Sequence, residues 1–245
     1  MSKALKRTLI IVCCTVSAAL ILLALIYFKI IHLNSLFVGK NDVKGVDVSS
    51  YQGEINWQRL ASQGITFAYI KATEGSSQVD ERFEYNFENV SQTGLVYGAY
   101  HFFSFDSSGE QQAKHFIATV PKREEMLAPV IDIEYYGDYA DHPKDKDEVV
   151  MQAKQMADIL EQHYGIKPVI YTTGSCYDRY VRSSSLEKYP LWIRNVYFRP
   201  LFAGKPVFWQ YADDKKLEGY KGEEEHIDMN VFFGDKEKLK DYTIK

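Results

Sequence analysis

The chain has 245 residues, 29 of them basic and 33 acidic, for a net charge of −4 with histidine neutral. Five of the basic residues and none of the acidic ones precede residue 41, so the remaining 205 residues carry 24 basic against 33 acidic, a net of −9. A region this acidic is a poor nucleic-acid binder. Only Cys176 of the three cysteines lies beyond residue 40, which excludes an intrachain disulfide framework or a Cys-x-x-Cys metal site there.

In chain order, Lys3, Lys6 and Arg7 come first, followed by 21 uncharged residues at 8–28, with Lys29 closing the run. That length suffices to cross a bilayer as a helix. The run exceeds a typical signal-peptide core and no Ala-x-Ala site follows it, so an uncleaved anchor is expected. Cations before the run hold that end inside. The expected organisation is therefore residues 1–7 cytoplasmic, 8–31 a single transmembrane signal anchor, 32–42 a short linker, and 43–245 one large domain outside the cell membrane.

Within that domain, strand-like and helix-like stretches alternate. Residues 43–48 read as a strand, 57–63 as a short helix and 66–71 as a strand. Residues 81–93 follow as a helix with Phe83, Phe87 and Val90 on one side and Gly94 as its stop. Residues 95–103 form a third strand, 108–120 a helix, and 128–134 a fourth strand. Residues 145–164 make a longer helix ended by Gly165. Residues 167–172, 191–194, 207–211 and 227–232 complete eight strand candidates. Such alternation predicts parallel pairing through right-handed crossovers, and eight strands in one domain predict a barrel. The last three strands have short or irregular connections, so the barrel is expected to be an incomplete version of the regular α/β form.

The fourth strand carries Asp132-Ile133-Glu134. Alternation along a strand puts both carboxyls on one side. Mutual repulsion and burial raise the pKa of one of such a pair, and a proton-holding acid beside an ionised partner is what glycosidic cleavage requires. An isolated Asp-x-Glu is more often two solvated acids, so its surroundings decide. In a parallel barrel, reactive groups gather at the carboxyl ends of the strands. Those ends carry Asp47-Val-Ser49, Lys71-Ala-Thr-Glu74, Tyr100-His101-Phe-Phe103, Asp132-Ile-Glu134, Tyr171, Trp192 with Arg194, Trp209-Gln210-Tyr211 and Asp228-Met-Asn230. This distribution predicts one acidic cleft with aromatic walls. Asp47, Asp132, Glu134 and Asp228 are the candidate catalytic acids, and Lys71, Glu74, Tyr100, Tyr171, Trp209 and Gln210 the candidate substrate contacts.

Six segments, in order, resemble glycoside hydrolase family 25, the lysozymes that include fungal and phage-type muramidases. They are Gly45-Val-Asp-Val-Ser-Ser-Tyr-Gln-Gly-Glu-Ile-Asn-Trp57, Phe67-Ala-Tyr-Ile-Lys-Ala-Thr-Glu-Gly75, Gly94-Leu-Val-Tyr-Gly-Ala-Tyr-His-Phe-Phe103, Pro129-Val-Ile-Asp-Ile-Glu134, Phe208-Trp-Gln-Tyr211 and Ile227-Asp-Met-Asn-Val-Phe232. They span about residues 43–233. One departure is Gln78, two positions before Asp80, where the family usually carries an aromatic residue. The resemblance implies a modified TIM-like barrel, (β/α)5(β)3, that cleaves the bond from N-acetylmuramic acid to N-acetylglucosamine in bacterial peptidoglycan. It implies Glu134 as general acid, Asp132 as the group stabilising positive charge, Asp47 and Asp228 completing an acidic ring, and no metal or other cofactor.

Two other function classes fit parts of the pattern. A catalytically idle glycan-binding or scaffold protein would keep the cleft, but gains little from crowded carboxylates. A metal-dependent polysaccharide deacetylase would need an Asp with paired histidines, and no His-x-x-x-His occurs.

Overall fold

The computed structural model describes residues 2–245. Helix α1 (Lys3–Tyr27) has no buried residue and is long and apolar enough to cross a membrane, with a mean hydropathy of 3.0 over an 18-residue stretch. Its 25 residues span roughly 37 Å at 1.5 Å per residue.

The remainder folds as a closed eight-strand barrel. In chain order come β1 (Val43–Val48), α2 (Trp57–Ala61), β2 (Phe67–Glu74), a two-residue edge strand β3 (Gln78–Val79), α3 (Phe83–Val90), β4 (Val96–Phe102), α4 (Gly109–Thr119), β5 (Val130–Ile133), α5 (Lys146–Tyr164), β6 (Val169–Thr173), β7 (Leu191–Arg194), β8 (Phe208–Lys215) and β9 (Ile227–Phe232). The order around the barrel is β1-β9-β8-β7-β6-β5-β4-β2, closed by parallel β1–β2 pairing, with β3 hairpinned onto β2.

The local signals act where expected. The Asp145 side chain accepts from Glu148 N to start α5, and Gly165 ends it in the left-handed conformation, φ 77. The expectation of parallel strands throughout fails at β9, which runs antiparallel to both β8 and β1. Residues 216–226 join β8 to β9 without a crossover helix, and a helix-free loop returns the chain antiparallel. A further stretch, Gly174 to Val181, forms irregular helical turns where no element was expected.

Two apolar shells sandwich the barrel wall. Inside, Phe67, Tyr69, Trp192, Phe208 and Phe232 pack as a column of rings. Gly45 and Gly98 make room for it: a Cβ at Gly45 would lie 2.4 Å from the Phe67 ring, and one at Gly98 2.7 Å from Tyr69. Outside, the helices cover β1 to β6 through residues such as Phe87, Phe116, Met156 and Leu160. No crossover helix covers β8. There Val38 of the linker packs on the outer core, and Asn34, 2% exposed, donates from Nδ2 to the carbonyls of Asn195 (3.0 Å) and Tyr211 (2.8 Å).

That cover accounts for Trp209. It is fully buried on the outer face of β8, donates from Nε1 to the Asn195 carbonyl at 2.9 Å and stacks on Phe233. It is therefore a core residue, not a sugar platform. Trp209→Ala should cost about 3–5 kcal/mol in urea denaturation, with the specific activity of the remaining folded protein retained. A substrate contact would show the reverse, a raised KM with little loss of stability.

Candidate active site

Alternation along the strands points one polar layer inward, directly above the aromatic column. Asp47 from β1, Lys71 from β2, Tyr100 and Phe102 from β4, Asp132 from β5, Glu134 just beyond its end, Tyr171 from β6 and Trp192 from β7 line a cleft of about 230 Å³. Asp228 joins them from β9 by a route the carboxyl-end rule does not describe. Because β9 is antiparallel, its amino end reaches the same rim, and Asp228 sits directly opposite Asp47 in the register.

Two amides fix the Asp47–Asp228 pair. The Trp192 indole N–H donates to Asn230 Oδ1 at 2.9 Å, which leaves Asn230 Nδ2 to donate to Asp47 Oδ1 at 2.6 Å. The Tyr171 hydroxyl donates to Gln210 Oε1 at 2.9 Å, and Gln210 Nε2 reaches both oxygens of Asp47 and Asp228 Oδ2, each at 3.1 Å. Since an indole has a donor and no acceptor, the orientation of Asn230 follows from chemistry. Gln210, 1% exposed, thus lies beneath the carboxylates and outside the cleft lining. It orients acids instead of touching a sugar.

Burial raises the pKa of all four acids. Asp228 is pushed up to about 9 by desolvation and by the charge of Asp47. Burial raises Asp47 as well, opposed by the hydrogen bonds that Asn230, Gln210 and Asp228 donate to it. Desolvation lifts Asp132 well above the carboxylate range, and the charges of Glu134 and Asp47 add to that. Glu134 also rises by desolvation and by Asp47, but the cations Arg194 and Lys71 pull it back. A second negative charge beside Glu134 is therefore disfavoured at Asp132. One oxygen of that group, Oδ1, is buried and makes no hydrogen bond to the protein.

Of the other expected contacts, Tyr100 and Tyr171 line the cleft as neutral phenols, their pKa values raised by burial and by the nearby carboxylates. Lys71 does so too, held by Glu74 at 2.7 Å and over the Phe102 ring at 5.0 Å. Glu74 itself stays outside the lining and acts on Lys71. Gln78, on β3, is exposed. His101 faces the outer shell and bonds Thr73 (2.7 Å) and Gln112 (2.9 Å). Burial lowers its pKa to about 4, so it is neutral.

Tyr51, Gln52 and Glu224 also line the cleft, with Gln52 Nε2 donating to Glu224 Oε2 at 3.3 Å. Glu224 lies in an acidic loop, Glu223-Glu224-Glu225, where nothing in the sequence distinguishes it from a solvated charge. Among the described residues, no group of three or more His, Cys, Asp or Glu side chains is arranged to hold a metal ion.

The model of glycosyl hydrolases family 25 matches residues 46–220. Lysozyme M1 of Streptomyces globisporus is 34% identical over 214 residues, covering 80% of this chain and 70% of that protein. Among solved structures, a family 25 glycosyl hydrolase from Bacillus anthracis superposes with a TM-score of 0.79 at 44% identity, covering 84% of this chain and 96% of that one. A bacterial lysozyme from Streptomyces coelicolor gives a TM-score of 0.71 at 30% identity over 81% and 95%.

Proposed function

This chain is a glycoside hydrolase, a member of glycosyl hydrolases family 25, and from that membership we propose that it cleaves the β-1,4 bond between N-acetylmuramic acid and N-acetylglucosamine in bacterial peptidoglycan, with Glu134 as general acid. The family relation supports peptidoglycan hydrolysis in general; the bond and the residues are our assignment. The observation that carries the assignment is the unpaired, buried Asp132 Oδ1 beside Glu134 at the foot of the cleft.

A buried carboxylate oxygen without a partner is costly. The substrate's 2-acetamido N–H is the donor that fits it. Accepting that bond favours ionised Asp132, whose charge favours a proton on Glu134. Glu134 then protonates the departing glycosidic oxygen. Asp132 turns the acetamido carbonyl toward the anomeric carbon and stabilises the positive charge of the cyclised intermediate. Asp47, held by hydrogen bonds from Asn230, Gln210 and the protonated Asp228, keeps negative charge at the floor of the cleft. Lys71, Tyr100 and Tyr171 hold sugar hydroxyls.

Residues 1–7 are assigned to the cytoplasm, 8–31 to a single membrane span, 32–42 to a linker and 43–245 to the catalytic domain on the cell-wall side. The apolar α1 and its flanking cations support this placement.

The test is digestion of purified peptidoglycan by the full chain in detergent, with mass spectrometry of the fragments and NMR of the first-formed anomer. New reducing ends at muramic acid, formed with retention, are expected. Reducing ends at glucosamine would overturn the bond assignment, and inversion would overturn the acetamido mechanism.

A further inference from the structure

The stretch after α1 is not a free tether. Lys29 Nζ meets Asp213 at 2.6 Å, and the same Asp213 holds Arg194 at 2.7 Å. His32 Nδ1 lies 3.5 Å from Asp214, and Asn34 is buried against the backbone of β8 and the residue after β7. The barrel is thus gripped from the second residue beyond the helix end at Tyr27. A chain advances at most about 3.5 Å per residue, so the flank beside β8 begins within roughly 15 Å of that end.

Large exposed apolar side chains concentrate on this flank. Leu36 is 79% exposed, Phe37 51%, Phe198 53% and Leu201 85%, with Tyr197 and Phe233 beside them. Outside the flank and the segment 3–31, the described surface offers only Tyr51, Val79, Tyr85 and Met151 of comparable size and exposure. The segments that carry the flank's apolar side chains are tied together: Asn34 bonds Asn195 at the start of the 195–207 loop, Trp209 bonds Asn195 and stacks on Phe233, and Arg199 lies 5.3 Å over the Phe233 ring. Aromatic and aliphatic tips interleaved with Lys29, Arg199 and Lys205 form the composition that settles at a membrane–water interface.

We propose that this flank, made by residues 30–37 and the loop 195–205, is a lipid-facing surface that seats the barrel against the outer leaflet and holds the cleft rim at Arg194 and Asp213 beside the headgroups. The proposal rests on α1 spanning the membrane. Lipid is the occupant because the patch continues from α1: a helix of roughly 37 Å exceeds a hydrocarbon core of about 30 Å, which places its end among the headgroups. The cleft then takes glycan lying close to the bilayer surface in preference to the outer wall.

The experiment uses full-length chain in vesicles of phosphatidylethanolamine and phosphatidylglycerol, with nitroxide labels read by collision with oxygen, which partitions into lipid, and with a water-soluble nickel chelate. The native, exposed Cys13 and Cys14 report on α1, while buried Cys176 stays unlabelled. Leu201→Cys and Phe37→Cys, each in a C13S/C14S background, report on the flank. Glu124→Cys, in the loop between α4 and β5, reports on water. All three replaced side chains are exposed, and the melting temperature of each variant is checked against the parent. The oxygen-to-nickel collision ratio is expected to be several-fold higher at 201 and 37 than at 124. Labels at 201 and 37 as aqueous as 124, with Cys13 and Cys14 still in lipid, would overturn the lipid-facing flank and leave the anchor standing. Aqueous labels at Cys13 and Cys14 as well would overturn both.

Discussion

Glu134→Gln is expected to lower kcat on peptidoglycan by about 10²–10⁴-fold, the contribution of a positioned general acid. The substitution keeps the shape and the hydrogen-bonding reach of the side chain but cannot release a proton to a leaving oxygen. It also removes a group whose carboxylate is disfavoured by burial and by Asp47, so the variant should melt no lower than the parent. A synthetic glycoside with a leaving group acidic enough to depart unprotonated should recover most of its rate in the variant. Measuring both substrates separates loss of the acid from loss of the site. Equal loss on both would take Glu134 out of the acid role and make it a binding group.

Asp228→Asn should weaken the loss of stability with rising pH, a dependence opposite in sense to that of a salt-bridged acid. Folding raises the pKa of Asp228 from 3.8 to about 9. The folded chain therefore keeps a proton that the unfolded chain has released, and stability falls as pH rises between those two values. Asp47, Asp132 and Glu134 shift in the same direction, so the parent should melt at lower temperature at pH 9 than at pH 5. Asparagine reproduces the protonated form: its oxygen still accepts from Gln210, and its amide can donate toward Asp47. The variant's melting temperature should thus exceed the parent's at pH 9 and fall less steeply with pH, as read by scanning fluorimetry. A variant curve parallel to the parent's would mean that Asp228 is ionised in the fold.

Much of this was legible because short, branched strands and capped helices announce themselves. Strands β1, β7 and β9 begin and end at the expected residues, and Asp132 and Glu134 share a cleft as their spacing implied. What failed was the choice of face. Along β8 every residue from Phe208 to Ala212 is buried, so alternation says that Trp209 and Gln210 point opposite ways without saying which way is in. The answer depends on a distant segment: residues 34–38 cover the outer face and claim Trp209 for the core. The reversed strand β9 was illegible for a related reason, since alternation along a strand carries no sense of direction and only the missing crossover helix sets it. Asn230 and Gln210 looked like ordinary polar residues at strand ends, and their role as clamps exists only once β1, β8 and β9 meet.

The ring closure has a consequence for timing. Strand β1, near the start of the domain, is flanked by β2 on one side and by the last strand, β9, on the other. During synthesis, amino end first, the barrel stays an open sheet with a bare edge until residues 227–232 emerge. Asp47 waits for its opposing carboxyl and for Asn230 over that whole interval, so a nascent or truncated chain carries half a catalytic floor. The cleft floor is thereby completed only after β9 has been made and has paired with β1.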